Sequence, residues 1–286
     1  MTKQLIVLTG PTGVGKTEAS IALAQHIGSP IISCDSRQLY RELNIGVARP
    51  RPEQLNAVEH HFVACRSVAD YYSVGQFELD AMALLSQLFD THDRLLMVGG
   101  SGLYIDAVCY GIDNTPPVDP PLRSSLMHRL ATEGLAPLRS ELQRLDPDFY
   151  HEVDPQNPAR IVRALEACLC SGKPYSQLRQ HRPKPRPFEL NFVVMSLPRD
   201  ELYHRINRRV EQMMAQGLLN EVQQLLPHRA SNALKTVGYR ELFEHLDKKI
   251  SLDEAVELIK RNTRRYAKRQ ITWMAKYDLG FEDLKI

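Results

Sequence analysis

The sequence predicts an α/β protein, a parallel sheet flanked by helices, with an all-helical domain inserted into it. Three observations predict this. A buried-strand run, Gln4-Leu5-Ile6-Val7-Leu8-Thr9, passes through a glycine-rich loop into an apolar helical pattern at Ala19, Ile21, Ala22, Leu23 and Ala24. Further strand runs, Ile31 to Ser33 and Arg94 to Val98, alternate with helical periodicity. A stretch of purely helical periodicity then lies between proline-rich segments before a strand pattern returns.

Each element has its own warrant. Near-continuous apolar runs of this length, rather than alternation, mark strands covered on both faces of a parallel sheet. Phe77 to Phe89 reads as a helix with Leu79, Met82, Ala83, Leu85 and Leu88 on its apolar side. Strands alternating with helices imply right-handed crossovers and ligands at the carboxyl ends of the strands. From Asn114 the texture changes. Thr115-Pro116-Pro117, Asp119-Pro120-Pro121 and Arg182-Pro183-Lys184-Pro185-Arg186-Pro187 bracket the helical segment. Residues 112–187 are therefore expected to form the insertion, with the prolines as stiff connectors. Asn191 to Leu197 returns the chain to the sheet. Only helices follow, one of them running from the capping box Ser251-Leu252-Asp253-Glu254 to about Tyr277.

At 286 residues and 43% hydrophobic content the chain can bury a sizeable core. A net charge of +2, from 36 basic and 34 acidic residues, hides any local asymmetry until the distribution is read. Gln4 to Thr9 does not resemble a signal peptide, and no apolar run approaches the roughly 18 residues that span a bilayer, so a cytoplasmic protein without a membrane partner is expected. Cys34, Cys65, Cys109, Cys168 and Cys170 are odd in number and irregular in spacing, which suggests neither a disulfide framework nor a four-cysteine zinc site. Cys168 and Cys170 fall in a helical pattern and are expected as buried or half-buried thiols.

The loop Gly10-Pro11-Thr12-Gly13-Val14-Gly15-Lys16-Thr17 matches the pattern G-x-x-x-x-G-K-[ST], between a strand and a helix, where the pattern has meaning. Its glycines let backbone N–H groups turn inward around a phosphate, and the helix N-terminus adds positive potential. Lys16 adds a point charge, and the Thr17 hydroxyl can ligate Mg²⁺. The core expected is thus P-loop NTPase-like, residues 1–111 and 188–286. A phosphate loop fixes a diphosphate-bearing ligand, a nucleotide such as ATP included, but leaves hydrolysis, phosphoryl transfer and other reactions open. In many ATPases a strand ends in a metal-holding aspartate, whereas the strand at Arg94 ends in Gly99-Gly100-Ser101-Gly102. The acid at a strand end is Asp35, facing the same crevice by sheet topology.

The chain resembles the bacterial-type tRNA dimethylallyltransferases along nearly its whole length. The likeness rests on the phosphate loop, on Asp35-Ser36-Arg37-Gln38-Leu39-Tyr40-Arg41 with Asn44-Ile45-Gly46, and on His60-His61. It continues through Gly99 to Tyr104, Arg160 to Glu166, Val237-Gly238-Tyr239-Arg240 and Lys268 to Trp273. The resemblance implies that the loop grips dimethylallyl diphosphate and that the acceptor is the N6 amine of the adenosine 3′-adjacent to the anticodon, in the anticodon stem-loop of tRNA. It implies tRNA contacts at Asp35, Ser36, Arg37, Gln38, Ser101, Arg123, Ala159, Arg160, Ile161, Val162, Arg163, Lys235, Thr236, Val237, Gly238, Tyr239 and Arg240. Serine at 101 stands where threonine is commoner in the family, and Ala159 replaces a polar residue of some members. A monomer is expected.

An adenine amine is a poor nucleophile, so the chemistry needs two things. The leaving diphosphate must be stabilised, by loop amides, Lys16 and Mg²⁺ on Thr17. Arg205 and Arg209, four apart on one helix face, are either part of this set or solvated, tRNA-facing charge; the resemblance favours the set. A base must also take the amine proton, and Asp35 is the candidate, with capping or metal-water ligation as its other role. Ser101, Arg205 and Arg209 complete the expected catalytic group. His60 and His61 are expected to be structural, and Trp273, in a stripe with Ile271 and Met274, to be core.

Between Leu258 and Tyr277 stand seven basic residues and no acid. Arg261, Arg265 and Arg269 share one helix face, and Lys260, Arg264 and Lys268 another, which reads as a phosphate-backbone surface. The insertion adds Arg160, Arg163, Lys173 and the cluster from Arg179 to Arg186. Three rivals remain: an ATP-dependent small-molecule kinase, a prenyltransferase acting on free nucleotides, and a non-catalytic RNA-binding protein.

Overall fold

A computed structural model describes residues 2–113, 115–180 and 182–275. Its strands are β1 (Gln4–Thr9), β2 (Ile31–Ser33), β3 (His60–His61), β4 (Arg94–Gly99) and β5 (Glu189–Val194). All pairings are parallel, in the order β3-β2-β4-β1-β5. β1 lies between β4 and β5, in register from Gln4 opposite Arg94 and Glu189 to Thr9 opposite Gly99 and Val194. Its Leu5, Val7 and Leu8 are fully buried, which is why its sequence is apolar without alternation. β5 begins and ends earlier than Asn191 to Leu197. Met195 still donates to the Thr9 carbonyl at 2.8 Å, but Pro198, at the N-cap of the next helix, turns the chain out of the sheet.

The chain divides into two compact units, the described residues of Met1–Cys109 with Pro185–Ile286, and Tyr110–Lys184. The second unit is shorter than 112–187 at its C-terminal end and begins two residues earlier. Lys184 N–H donates to the Tyr110 carbonyl at 2.7 Å and ties its two ends together. The residue Asn114, where the texture changes, lies outside the described residues.

In the first unit the sheet is joined by α1 (Lys16–Ile27), α2 (Pro52–Ala57), α3 (Val74–Leu88) and α4 (Gly102–Cys109). The buried stripe of α3 is Phe77, Glu78, Ala81 and Leu85, whereas Leu79 is exposed, so its inward face is rotated from the apolar side expected. Glu78 is buried because Arg186 meets it at 2.8 Å while also donating to the Ala107 carbonyl at 2.6 Å. Arg186 therefore serves the core and leaves the basic cluster expected around it. Two residues of β3 are too few to show a period in sequence.

In the second unit, α5 (Pro120–Thr132), α6 (Leu135–Leu145), α7 (Pro147–Glu152), α8 (Pro158–Ser171) and α9 (Tyr175–Leu178) enclose Leu126, Leu138, Leu142, Phe149, Ile161, Val162 and Leu165. Asp119, Asp146 and Asn157 cap α5, α7 and α8 through their side chains, each followed by proline at the first helical position. Asp119-Pro120-Pro121 is thus a helix start rather than a connector. Cys168 is buried, but Cys170 is exposed.

The first unit closes with α10 (Arg199–Ala215), α11 (Leu218–Gln224), 3₁₀ turns at Leu226–His228 and Asn232–Leu234, α12 (Tyr239–Leu246) and α13 (Leu252–Ala275). Ser251 and Glu254 cap α13 reciprocally. Its expected end at Tyr277 lies outside the described residues. No helix among the described residues is long and apolar enough to cross a membrane.

Candidate active site

The phosphate loop leaves the carboxyl end of β1 and enters α1 through Gly15, whose φ of 107° a side chain would strain. The first amides of α1 have no intrahelical partner, so they and the helix dipole face the crevice at this end of the sheet. Lys16 Nζ donates to the Gly10 and Pro11 carbonyls at 2.8 and 3.1 Å. Thr12, Gly13, Gly15, Lys16 and Thr17 line a crevice of about 1320 Å³, while Pro11 and Val14 are buried behind them.

Asp35 and Gln38 line the same crevice. Asp35 Oδ1 accepts the amides of Arg37 at 2.9 Å and Gln38 at 3.4 Å, so one carboxylate oxygen caps the turn that starts the segment. Ser36 N–H donates to Ser101 Oγ at 3.0 Å, and the two hydroxyls lie 3.2 Å apart. This ties the loop after β2 to the loop after β4. Desolvation pulls the Lys16 ammonium down to about 8, with Asp35 opposing the shift and Arg209 adding to it. Desolvation also lowers the Arg209 guanidinium, against the raising fields of Asp35 and Glu18. Lys16, Asp35 and Arg209 are therefore one charge cluster.

Arg205 and Arg209 both line the crevice from α10. Arg205 is ion-paired to Glu201 at 2.8 Å and half exposed. A Cβ on Gly15 would lie 3.9 Å from Arg205 Nη1, so the guanidinium reaches the phosphate loop.

A second cavity, about 340 Å³, shares Thr12, Asp35 and Arg209 with the first. Ser36, Arg37, Lys235, Thr236, Val237, Gly238 and Arg240 also line it, together with Tyr266 and Arg269 of α13. Two segments about 200 residues apart in sequence thus meet here, held by Arg37 Nη1 donating to the Asn232 carbonyl at 3.1 Å. Two side chains in these segments face inward. Tyr239 is fully buried, its hydroxyl donating to Glu221 Oε1 at 2.6 Å, and the Gln38 amide nitrogen donates to the Val47 and Ala48 carbonyls.

In the second unit, Ala159 and Arg160 are exposed at the start of α8, but Ile161 and Val162 are core. Those two cannot offer side chains to RNA, because α8 turns its apolar stripe inward there. Glu166, fully buried, receives Arg123 at 2.9 and 2.5 Å and Arg163 at 2.6 Å. Arg179 is paired with Glu152 and lies over the rings of Phe149 and Tyr175.

The two basic stripes of α13 are not equivalent. Lys260 is paired to Glu211 and Glu257, and Arg264 donates to Asn207 Oδ1 at 2.6 Å, so most of that stripe braces α10. Arg261, Arg265, Lys268 and Arg269 are exposed; Lys276 lies outside the described residues. Ile271 is also exposed, and Trp273 is half-buried, donating to Asp106 Oδ2 at 3.1 Å. His60 Nδ1 hydrogen-bonds the Val58 carbonyl at 2.8 Å and His61 pairs in β3, and no His, Cys, Asp or Glu cluster able to hold a metal occurs among the described residues.

Sequence reasoning passed over Tyr266 and gave Gln270, inside the motif from Lys268 to Trp273, no role of its own. Desolvation and then the field of Asp35 raise the Tyr266 hydroxyl to about 12, against an opposing contribution from Ser101, so it is protonated at neutral pH. Gln270 joins the phosphate loop to Gly100. The available signal was their spacing, four apart and in line with Met274, beneath the conspicuous charges.

A model of the family described as IPP transferase matches residues 38–277. Bacteroides fragilis tRNA dimethylallyltransferase 1 is 50% identical over 274 residues, 96% of this chain and 91% of its own. Parabacteroides distasonis tRNA dimethylallyltransferase 2 is 51% identical over 272 residues, 95% and 91% of the two chains. The crystal structure of a Bacillus halodurans tRNA isopentenylpyrophosphate transferase superposes with a TM-score of 0.72 at 33% identity, covering 98% of this chain and 90% of that one.

Proposed function

The chain belongs to the IPP transferase family, and on that premise we propose that it transfers the dimethylallyl group of dimethylallyl diphosphate to the N6 amine of the adenosine 3′-adjacent to the anticodon in tRNA, releasing diphosphate. The observation that carries the reading is that Asp35 lines both cavities, with the phosphate loop in one and the segment 235–240 in the other.

The N6 lone pair attacks the allylic carbon as the bond from that carbon to the diphosphate oxygen breaks. The bonding pair leaves with the diphosphate, and the amine proton passes to Asp35. The Asp35 carboxylate has one oxygen fixed by the turn, which aims the other. Loop amides, Lys16, Arg205 and Arg209 offset the growing charge on the leaving group in a partly desolvated site. Tyr266 lines both cavities with Asp35 and is suited to orienting the acceptor, while Ser101, which lines neither, holds the Ser36 amide next to Asp35.

For Mg²⁺, the donors present are hard oxygens, the Thr17 hydroxyl and the Glu18 carboxylate at the crevice. That set fits an ion that takes its remaining ligands from diphosphate and water. When bound, Mg²⁺ neutralises part of the diphosphate charge. Arg37, Arg240, Arg269, Lys235 and the exposed stripe of α13 supply the phosphate-backbone surface for the anticodon stem-loop, and Arg160, on its own unit, adds another basic contact. A monomer in the cytoplasm belongs to the same reading.

The test incubates the protein and Mg²⁺ with radiolabelled dimethylallyl diphosphate and either bulk tRNA or AMP, with ATP hydrolysis followed in parallel. Label in an adenosine of tRNA is expected. Label in AMP alone, or ATP turnover without prenyl transfer, overturns the reading.

A further inference from the structure

Gln270 is 7% exposed, yet it is a carboxamide, on the C-terminal part of α13 and facing two glycine loops. Its Oε1 accepts the Thr12 N–H at 2.8 Å and its Nε2 donates to the Gly100 carbonyl at 2.8 Å. One side chain therefore bridges the loop after β1 and the loop after β4. The fit is close: a Cβ at Gly100 would lie 2.2 Å from Gln270 Nε2 and 3.3 Å from the Gly10 carbonyl oxygen.

The Thr12 amide directly precedes Gly13, which with Gly15, Lys16 and Thr17 lines the crevice. Fixing it fixes where the next amides point. Thr12 N–H, if not held by Gln270, is either left unpaired or turned toward the crevice, and both change the cradle. One turn further along α13 a second contact fastens the same strand end: Thr9 Oγ1 donates to Met274 Sδ at 3.9 Å.

We infer that Gln270 is a positioning residue for the diphosphate: its carboxamide holds the phosphate loop and the Ser101 loop at one spacing, so that donor binding depends on a side chain of α13. The inference rests on the reading of the loop as a diphosphate site.

The test compares the full-length protein with Gln270→Met, which keeps the volume and loses both bonds, and Gln270→Glu, which as a carboxylate keeps only the acceptor. Inorganic diphosphate with Mg²⁺ is titrated calorimetrically, and KM for the donor, KM for tRNA, kcat and the melting temperature are measured. Gln270→Met is expected to weaken diphosphate binding and raise the donor KM by about tenfold, leaving the tRNA KM within about twofold, as for loss of two neutral hydrogen bonds. Gln270→Glu regains donor affinity as the pH is lowered toward about 5, because burial at this position favours the protonated glutamate, which can donate as well as accept; Gln270→Met gains nothing over that range. A wild-type donor KM in Gln270→Met overturns the inference. So does a uniform fall in donor affinity, tRNA affinity and melting temperature without rescue in Gln270→Glu, the mark of a merely structural residue. A wild-type protein that binds no diphosphate overturns the functional reading instead.

Discussion

Replacing Asp35 separates its two roles, because they use different atoms. Asparagine keeps an Oδ1 to accept the Arg37 amide at 2.9 Å and the Gln38 amide at 3.4 Å, so the turn survives. What it loses is the negative charge and the capacity to take a proton. The structure thus predicts a stability change in Asp35→Asn of about 1 kcal/mol, with both accepted bonds kept but weakened by the lost charge. Turnover falls by about 10²- to 10⁴-fold, the usual contribution of a general base. At 1.36 kcal/mol per decade that is about 3–5 kcal/mol of transition-state stabilisation. Asp35→Ala loses the same base and the turn, so it adds about 1–2 kcal/mol of destabilisation, a melting point lower by a few degrees. The assay is single-turnover transfer of labelled dimethylallyl to tRNA at saturating donor, with tRNA affinity by filter binding and thermal unfolding alongside. Asp35→Asn turnover within tenfold of wild type would falsify the general-base assignment. Equal melting points for the two variants would refute the capping argument.

Three further outcomes follow from particular contacts. Lys16, pulled down to about 8 by desolvation, is largely charged at pH 6.5 and largely neutral at pH 9 in the free protein. An arriving diphosphate raises it again, so binding takes up a proton at pH 9 but not at pH 6.5, read from calorimetry in buffers of different ionisation enthalpy; the same uptake in Lys16→Met assigns the proton elsewhere. Arg265→Ala is expected to lower tRNA affinity and reduce the slope of log K against log salt by roughly 0.7 to 0.9, whereas Lys260→Ala, already paired to Glu211 and Glu257, leaves the slope unchanged; equal slopes would undo the distinction between the stripes. Glu166→Gln removes the charge that Arg123 and Arg163 share, and both guanidiniums are part-exposed and can turn to water, so the expected cost is about 1.5–3 kcal/mol rather than that of a sealed buried pair; unchanged thermal unfolding and hydrogen exchange in α5 and α8 would contradict it.

Much of the core was legible because its signals are local. β1, the phosphate loop and α1 are consecutive, and each is specified by its own residues. Asp35 could be placed opposite the loop because the carboxyl ends of parallel strands share one edge. What escaped depends on partners distant in sequence. The α13 stripes look alike until α10 brings Glu211 and Asn207 against one of them. The motif from Val237 to Arg240 mixes wall and foundation, since Tyr239 is drawn inward by Glu221 while Arg240 stays exposed. Arg186 reads as one more cation in a basic run until Glu78 is seen beneath it. Gln270 stands in line with Tyr266 and Met274, but the spacing alone gives it no role, because an amide that satisfies two loop backbones resembles any polar helix residue.

The position of β1 in the sheet has a consequence for synthesis. Its neighbour on one side, β4, precedes the unit Tyr110–Lys184 in the chain; its neighbour on the other, β5, follows it. A nascent chain that has reached Lys184 holds a complete set of α5 to α9, whose short-range contacts favour rapid folding, while its sheet still has the β1 edge uncovered. That bare edge is the kind of surface on which chains aggregate. It persists until β5 emerges about ten residues later, on the order of a second at ordinary translation rates. Tyr266 and Gln270 arrive later still, so the phosphate loop, made well before them, waits for its supports until α13 has been synthesised.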